Sequence, residues 1–252
     1  MGDGLVSTNY MSHTKLVYLE DMSLVAARAR VFSSAEEEGR SVVVLDETIF
    51  YPQGGGQPYD QGVITTASAR FLVEEVRFVE GIVRHIGKYE AGTFSVGDEV
   101  ECLVDSVRRE LHARLHSAGH IIDLAVHSLG LSWIPGKGFH FPQGPYIEYA
   151  GDLAAAGDGE SLRKKIEEKA QEIVNQASEV TVRFMPKEEM HMVCHSVPDY
   201  LPSHKPTRVV MYGVEGIPCG GTHVSNLGKV GHITIRKIKK EKDALRVAYA
   251  VE

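Results

Sequence analysis

The chain has 252 residues, 43% of them hydrophobic and 24% charged. That is enough apolar material for one large core or two modest ones, which excludes intrinsic disorder as the main state. Net charge is −7, from 27 Lys and Arg against 34 Asp and Glu, which excludes a protein that coats nucleic acid non-specifically along its whole surface. No stretch reaches the roughly 18 uninterrupted apolar residues of a membrane helix. The start, MGDGLVSTNY, has neither the basic nor the apolar part of a secretory signal. The expectation is a soluble cytoplasmic protein, with Met11 as an alternative start. Cys102, Cys194 and Cys219 form an odd and sparse set, which points to metal binding or catalysis rather than a disulfide framework.

From Lys15 to Val104 the chain carries short β-branched and aromatic runs, LVYL, SVVVLDETIFY, GVITT, ARFLVEEVRFV, GIVRHI and DEVECLV, several of them separated by glycine-containing turns. This predicts a small β-barrel or sandwich over residues 12–104. Asp105 or Ser106 can cap a helix that runs through RRELHARLHSAGHIIDLAVHSL and stops at Gly130, which suits the left-handed position after a helix. A second domain, residues 105–252, starts there. Polar, glycine-rich residues 150–160 precede LRKKIEEKAQEIVNQA, an amphipathic helix with Leu162, Ile166, Ala170, Ile173 and Val174 on one face. VTVRFM, RVVMYGV, HITIRKI and ALRVAYAV read as strands around a short MHMVC turn that packs Met192 and Val193. The predicted fold is α+β, an N-terminal barrel followed by helices packed on an antiparallel sheet. There is no internal repeat and no Rossmann or P-loop fingerprint.

Charge is unevenly spread. Residues 1–104 hold 8 basic and 16 acidic side chains, whereas residues 229–252 hold 7 and 3. The tail is therefore positive on an acidic body, and Lys237, Lys239, Lys240 and Lys242 are its densest candidates for a phosphate backbone. A solvated, lysine-rich hairpin is the alternative.

His116 and His120 stand four apart on the first predicted helix, so both imidazoles leave one face within reach of one ion. Twelve histidines in a chain of this length give roughly 0.6 such pairs by chance, and His191 and His195, around Cys194, form another. The first pair is raised by Cys219-Gly220-Gly221-Thr222-His223, a thiol and an imidazole in a glycine-rich loop between strands. His116, His120, Cys219 and His223 make a complete zinc set. Ordinary buried histidines and a tight turn with a buried thiol are the alternatives, and both ligand pairs would have to be accidental together. MHMVC reads as packing, and His112 as a surface residue or a neighbour of the ligands. The other unusual string is Tyr51-Pro52-Gln53-Gly54-Gly55-Gly56-Gln57-Pro58, whose glycines expose backbone N–H groups to a phosphate or ribose, or else form a barrel corner.

Taken in order, FYPQGGGQP, RLHSAGH and PCGGTHV resemble the editing domain of alanyl-tRNA synthetase and its freestanding relatives, the AlaX trans-editing proteins. The resemblance covers roughly Lys15 to Val251 and implies a glycine-motif barrel, with Gly54, Gly55, Gly56 and Gln57 engaging tRNA. It also implies an editing domain shared with threonyl-tRNA synthetase, and a zinc ion at His116, His120, Cys219 and His223; four filled positions would make a closed structural site, so the expectation is that His223 is the displaceable ligand. The implied reaction is hydrolysis of the ester that joins a wrong amino acid, serine and also glycine, to tRNA(Ala). Zinc with an exchangeable position can orient the substrate amine or lower the pKa of water. Ser117 and Thr222 are candidates to bond serine's hydroxyl, and Lys137 and His140, in PGKGFHF, to face the terminal adenosine or the ester, a surface turn being the alternative there. Ala118-Gly119 stands where the synthetases commonly have Ala-Thr. The competing readings are a non-catalytic, zinc-stabilised tRNA-binding module and a metallopeptidase. HSAGH lacks the glutamate that the latter places after its first histidine.

Overall fold

The computed structural model describes residues 13–152 and 159–252, so Met11 and positions 153–158 of the polar segment lie outside the described residues. A two-stranded parallel pair, β1 (Lys15–Leu16) and β4 (Glu47–Thr48), precedes and flanks a barrel. The barrel strands are β2 (Ala26–Glu37), β3 (Arg40–Leu45), β5 (Gly62–Thr65), β6 (Arg70–Val79), β7 (Ile82–Ala91) and β8 (Glu99–Val104), closed in the order β2-β3-β7-β6-β5-β8. Closure leaves no unpaired strand edge. The period of two is plain in β8, where Val100, Cys102 and Val104 are buried and Glu99, Glu101 and Leu103 are exposed. With Val43, Leu45, Ile64, Phe71, Val73 and Val83 they fill the interior, each large side chain contributing about 1.5–3 kcal/mol on burial.

Two local readings change. LVYL is a strand only at Leu16; Val17–Leu19 form a 3₁₀ turn that buries Tyr18. β2, the longest strand of the barrel, carries no β-branched signal before Val31, because Ala27–Arg30 alternates alanine with arginine.

α1 (Ser106–Ser128) begins at Asp105, whose side chain accepts the Arg108 backbone N–H. It ends in a Schellman arrangement: Gly130 has φ +70°, its N–H bonds to His127 O at 2.9 Å, and Leu131 N–H bonds to Val126 O at 3.3 Å. β9 (Ile134–Phe139), β10 (Tyr146–Ala150), β14 (Ile233–Glu241) and β15 (Ala244–Val251) form an antiparallel sheet in the order β14-β15-β10-β9. α2 (Gly159–Asn175) buries Leu162, Ile166, Ala170 and Val174. β11 (Val180–Met185), β12 (Thr207–Tyr212) and β13 (Glu215–Pro218) form a second, three-stranded sheet. Ala118, Ile121, Ile122 and Ala125 of α1 meet the α2 stripe, Ile147 and Tyr149 of β10, and Val247 and Tyr249 of β15 in one core. A separate small core holds Met190, Cys194, Val209 and Met211. The MHMVC turn packs through Met190 and Cys194, one turn apart and joined by a 2.7 Å backbone hydrogen bond, while Met192 is exposed. No helix among the described residues is long and apolar enough to cross a membrane.

The barrel is tied to α1 by one buried ion pair. The Arg109 guanidinium forks onto Asp60, with Nε 3.1 and 3.0 Å from its two carboxylate oxygens, and donates to Ile49 O at 2.6 Å. Asp60 also accepts the Tyr51 N–H at 2.7 Å. Arg109 is therefore committed inside the molecule, and Arg114 is held by Val230 O and Glu252 O. Removing one partner of such a pair strands a buried charge. Arg109→Ala should cost about 3–5 kcal/mol in urea unfolding, and Arg109→Met with Asp60→Leu considerably less.

Candidate metal centre

α1 presents His116 and His120 to the end of β12 and to the loop that follows β13, where Cys219 and His223 lie. One ligand atom from each of these four residues falls within 4.8 Å of all the others. His116 Nε2 and Cys219 Sγ are 3.4 Å apart, close to the roughly 3.5 Å between nitrogen and sulfur ligands of one tetrahedral ion. The Nε2 of His223 is buried without a hydrogen-bond partner, a costly state unless another group binds it.

Second contacts set the rings. Gln57, fully buried at the end of the glycine run, accepts the Thr222 backbone N–H through Oε1 at 3.0 Å and donates through Nε2 to Thr222 Oγ1 at 2.8 Å. A backbone N–H can only donate, so this contact fixes the orientation of the amide. The same Oε1 lies 2.8 Å from His116 Nδ1, which must therefore carry the proton and leave the Nε2 lone pair facing Cys219. Tyr212 OH is 2.9 Å from Nδ1 of both His120 and His223, and Ser117 Oγ is 3.2 Å from His223 Nδ1. All three imidazoles are thus engaged at Nδ1, the arrangement that orients histidine for a metal at Nε2. Arg208 braces the loop, donating to Cys219 O at 2.6 Å and Gly221 O at 2.9 Å.

Burial, reinforced by neighbouring imidazoles and by Arg208, holds His116 and His223 well below the ordinary imidazole pKa and His120 at about 3. The imidazoles are consequently neutral donors. Burial raises the Cys219 thiol, against the Gly221 N–H and Arg208, so the thiolate needs a cation beside it. A buried thiolate and three neutral imidazoles engaged at Nδ1, which leaves Nε2 unprotonated, fit a first-row divalent metal.

His140, at the end of β9, stacks on His116 at 4.4 Å and 22°. Its Nδ1 meets Tyr249 OH at 2.7 Å, and that hydroxyl donates to Leu115 O at 2.8 Å. The His140 proton is thereby placed on Nδ1 and the lone pair on Nε2, and burial lowers its pKa to about 4. Gly119 makes this stack possible, because a Cβ there would stand 2.5 Å from His140 Cε1. Lys137 is exposed on the same strand. Ser117 and Thr222 are both fully buried.

The glycine motif faces two ways. Gly54 and Gly55 are exposed, whereas Gly56, at φ +77°, lies against β9, where a Cβ would stand 2.1 Å from Gly138 O. The four tail lysines also divide. Lys237 and Lys239 share the outer face of β14 with Arg246 of β15, Lys240 lies on the opposite side, and Lys242 is in the hairpin turn. Elsewhere, His112 is buried rather than at the surface. His191 is exposed, while His195 pairs with Asp123 at 3.1 Å and stacks on His127 at 4.5 Å. Arg208, Tyr212 and the inward role of Gln57 carry no local sequence signal; only the tertiary arrangement brings them to the ligands.

Two family models match, "tRNA synthetases class II (A)" over residues 6–108 and "Threonyl and Alanyl tRNA synthetase second additional domain" over residues 207–246. An alanine–tRNA ligase of Methanothrix thermoacetophila is 34% identical over 219 residues, 82% of this chain but 23% of the ligase; the chain thus spans about a quarter of the length of that ligase. The alanyl-tRNA editing protein AlaX-M of Pyrococcus horikoshii is 30% identical over 230 residues, 90% of this chain and 91% of that protein. AlaX-L of the same organism is 29% identical over 92% of this chain and 57% of its own length.

Gln57→Leu should weaken metal binding about 10- to 100-fold, as loss of a ligand's orienting partner does, measured by competition with a chromophoric chelator. The pH dependence has a definite sign. With imidazole pKa values depressed, protons do not compete for nitrogen near neutrality, whereas the raised thiol must lose one. Apparent affinity should therefore rise about tenfold per pH unit from pH 6 to 8, with one proton released per ion in weakly buffered titrations.

Proposed function

The chain belongs to the family of alanyl-tRNA editing proteins, and on that premise we propose that it is an aminoacyl-tRNA deacylase, with zinc as its metal, that removes serine, and also glycine, from mischarged tRNA(Ala) in the cytoplasm. The observation that carries this reading is the convergence of four metal donors with the lone pair of His140, held in register by Gln57 from the barrel.

His116, His120, Cys219 and His223 would hold the zinc, with His223 as the exchangeable member. Zinc bound there supplies Lewis-acid stabilisation of the charge that develops at the ester carbonyl. His140 is neutral at pH 7 and has its Nδ1 proton committed to Tyr249, so its Nε2 can accept a proton from an attacking water. Its stack on His116 and the space left by Gly119 hold the ring in place, with Nε2 beside Gly138. Thr222 Oγ1 accepts its bond from Gln57, which frees its own proton for serine's hydroxyl. Ser117 Oγ accepts the Val224 N–H and is also engaged by His223 Nδ1 at 3.2 Å, so Thr222 is the better discriminator. Serine pairs that buried hydroxyl and glycine leaves room for a water to do so, whereas alanine's methyl fills the space and leaves it unpaired, which supports alanine's rejection. Lys237 and Lys239 supply phosphate contacts, which position tRNA without reading its bases.

The test is deacylation of tRNA(Ala) charged with serine, glycine or alanine, with metal analysis of the same sample. Hydrolysis of the seryl and glycyl esters, sparing of the alanyl ester and stoichiometric zinc are expected. Cys219→Ala should lose metal and hydrolysis together. Binding of tRNA without hydrolysis of any ester would instead make the protein a zinc-stabilised binding module.

A further inference from the structure

The four-stranded sheet has one face packed on α1 and α2, through Ile147, Tyr149, Leu245, Val247 and Tyr249. The opposite face should by ordinary alternation be polar. It carries instead a column of aromatic rings. Phe141 stacks on Phe139 at 4.5 Å and 16°, Phe139 stacks on Tyr146 of β10 at 5.2 Å and 17°, and the Arg246 guanidinium lies over Tyr146 at 4.4 Å. None of the three rings belongs to any of the hydrophobic cores, so packing does not account for them.

Register extends the column into a charged surface. Tyr146 lies opposite Phe139 on one side and Ala248 on the other, and Ala248 lies opposite Lys237; in the next row Glu148 faces Arg246, which faces Lys239. Arg236, beside the bulge of β14, brings its guanidinium 3.9 Å from where a Cβ on Gly144 would stand, at the turn that follows Phe141. Against Arg236, Lys237, Lys239 and Arg246 this face sets Glu148 and Glu241. Positive charge is in excess on a chain whose net charge is −7.

We propose that this face is a stacking platform for single-stranded RNA, which takes the unpaired 3′ end of the tRNA with bases added to the column at Phe141 and phosphates against Arg236, Lys237 and Lys239. A row of parallel π faces beside a basic stripe is the chemistry that binds a single strand without reading its sequence, because every base offers a π face while a duplex has its bases already stacked. The platform rests on the deacylase reading and extends it. His140 stands between Phe139 and Phe141 and turns to the other side of the strand, onto His116. Because β9 is an edge strand of this sheet, a strand whose bases stack on Phe141 runs past the edge from which His140 reaches the metal donors.

The test is anisotropy of a short labelled single-stranded RNA ending in CCA, against a blunt duplex of the same sequence, with the full-length protein. Wild type should prefer the single strand. Phe141→Leu, which keeps apolar volume but removes the ring, should weaken it roughly 5- to 100-fold without changing the salt slope, and Phe141→Trp should restore it. Lys237→Gln with Lys239→Gln should instead lower the slope by roughly 0.7 per lost contact. Tyr146→Leu interrupts the column from its other end and serves if circular dichroism shows that Phe141→Leu has not folded. Equal affinity for duplex and single strand, or wild-type affinity in both folded leucine variants, overturns the platform. Seryl-tRNA hydrolysis by the same samples separates the two readings. Wild-type hydrolysis with indifferent leucine variants overturns the platform alone. Ring-dependent binding by a wild type that hydrolyses nothing leaves the platform and overturns the deacylase.

Discussion

The amide of Gln57 is the contact on which the site depends. Its oxygen has two donors, the backbone N–H of Thr222 and Nδ1 of His116, drawn from a loop and a helix that are far apart in the chain. Because the first can only donate, the second has no choice of tautomer, and the lone pair at His116 Nε2 follows. The glutamine itself is delivered by the barrel, at the end of a glycine run that presses against β9. The same loop thereby fixes a ring at the centre and docks one half of the molecule on the other. The Arg109–Asp60 pair makes a second, purely structural tie across the same junction.

Burying this many polar groups together is unfavourable in itself. His116 and His223 are 2% and 4% exposed, and the Cys219 thiol has its pKa raised, so water does not compensate them. Nδ1 of each imidazole is compensated by protein; Nε2 is the side left for an ion. The free energy of binding a metal there would also be free energy of folding for the loop between Cys219 and His223.

The four-stranded sheet separates two chemistries across its thickness. Inward, Tyr249 and His140 complete the surroundings of the metal donors; outward, Phe139, Phe141, Tyr146 and Arg246 form a stacked, positively charged surface. Three consecutive residues at and just past the end of β9 achieve this, since Phe139 and Phe141 stack on one side while His140 turns to the other, onto His116.

What the sequence determined by itself was local. The Asp105 cap, the Gly130 stop, the α2 stripe, the HxxxH face and the CxxxH loop all depend on residues within a turn or two of one another, where periodicity and capping chemistry are readable. β2 was hidden because alanine alternating with arginine lacks a strand's usual side chains. β9 and β10 were hidden because Pro135, Gly136, Gly138 and Gly144 look like a surface turn. Only the tertiary structure could turn Gln57 inward, bring Arg208 and Tyr212 to the ligands, bury Arg109, and divide the tail lysines between two faces. The reason is range. Gln57 and Thr222 are 165 residues apart, and no property of either neighbourhood encodes their meeting, whereas the closed barrel and the packing of α1 against two sheets leave each of them a single place to be.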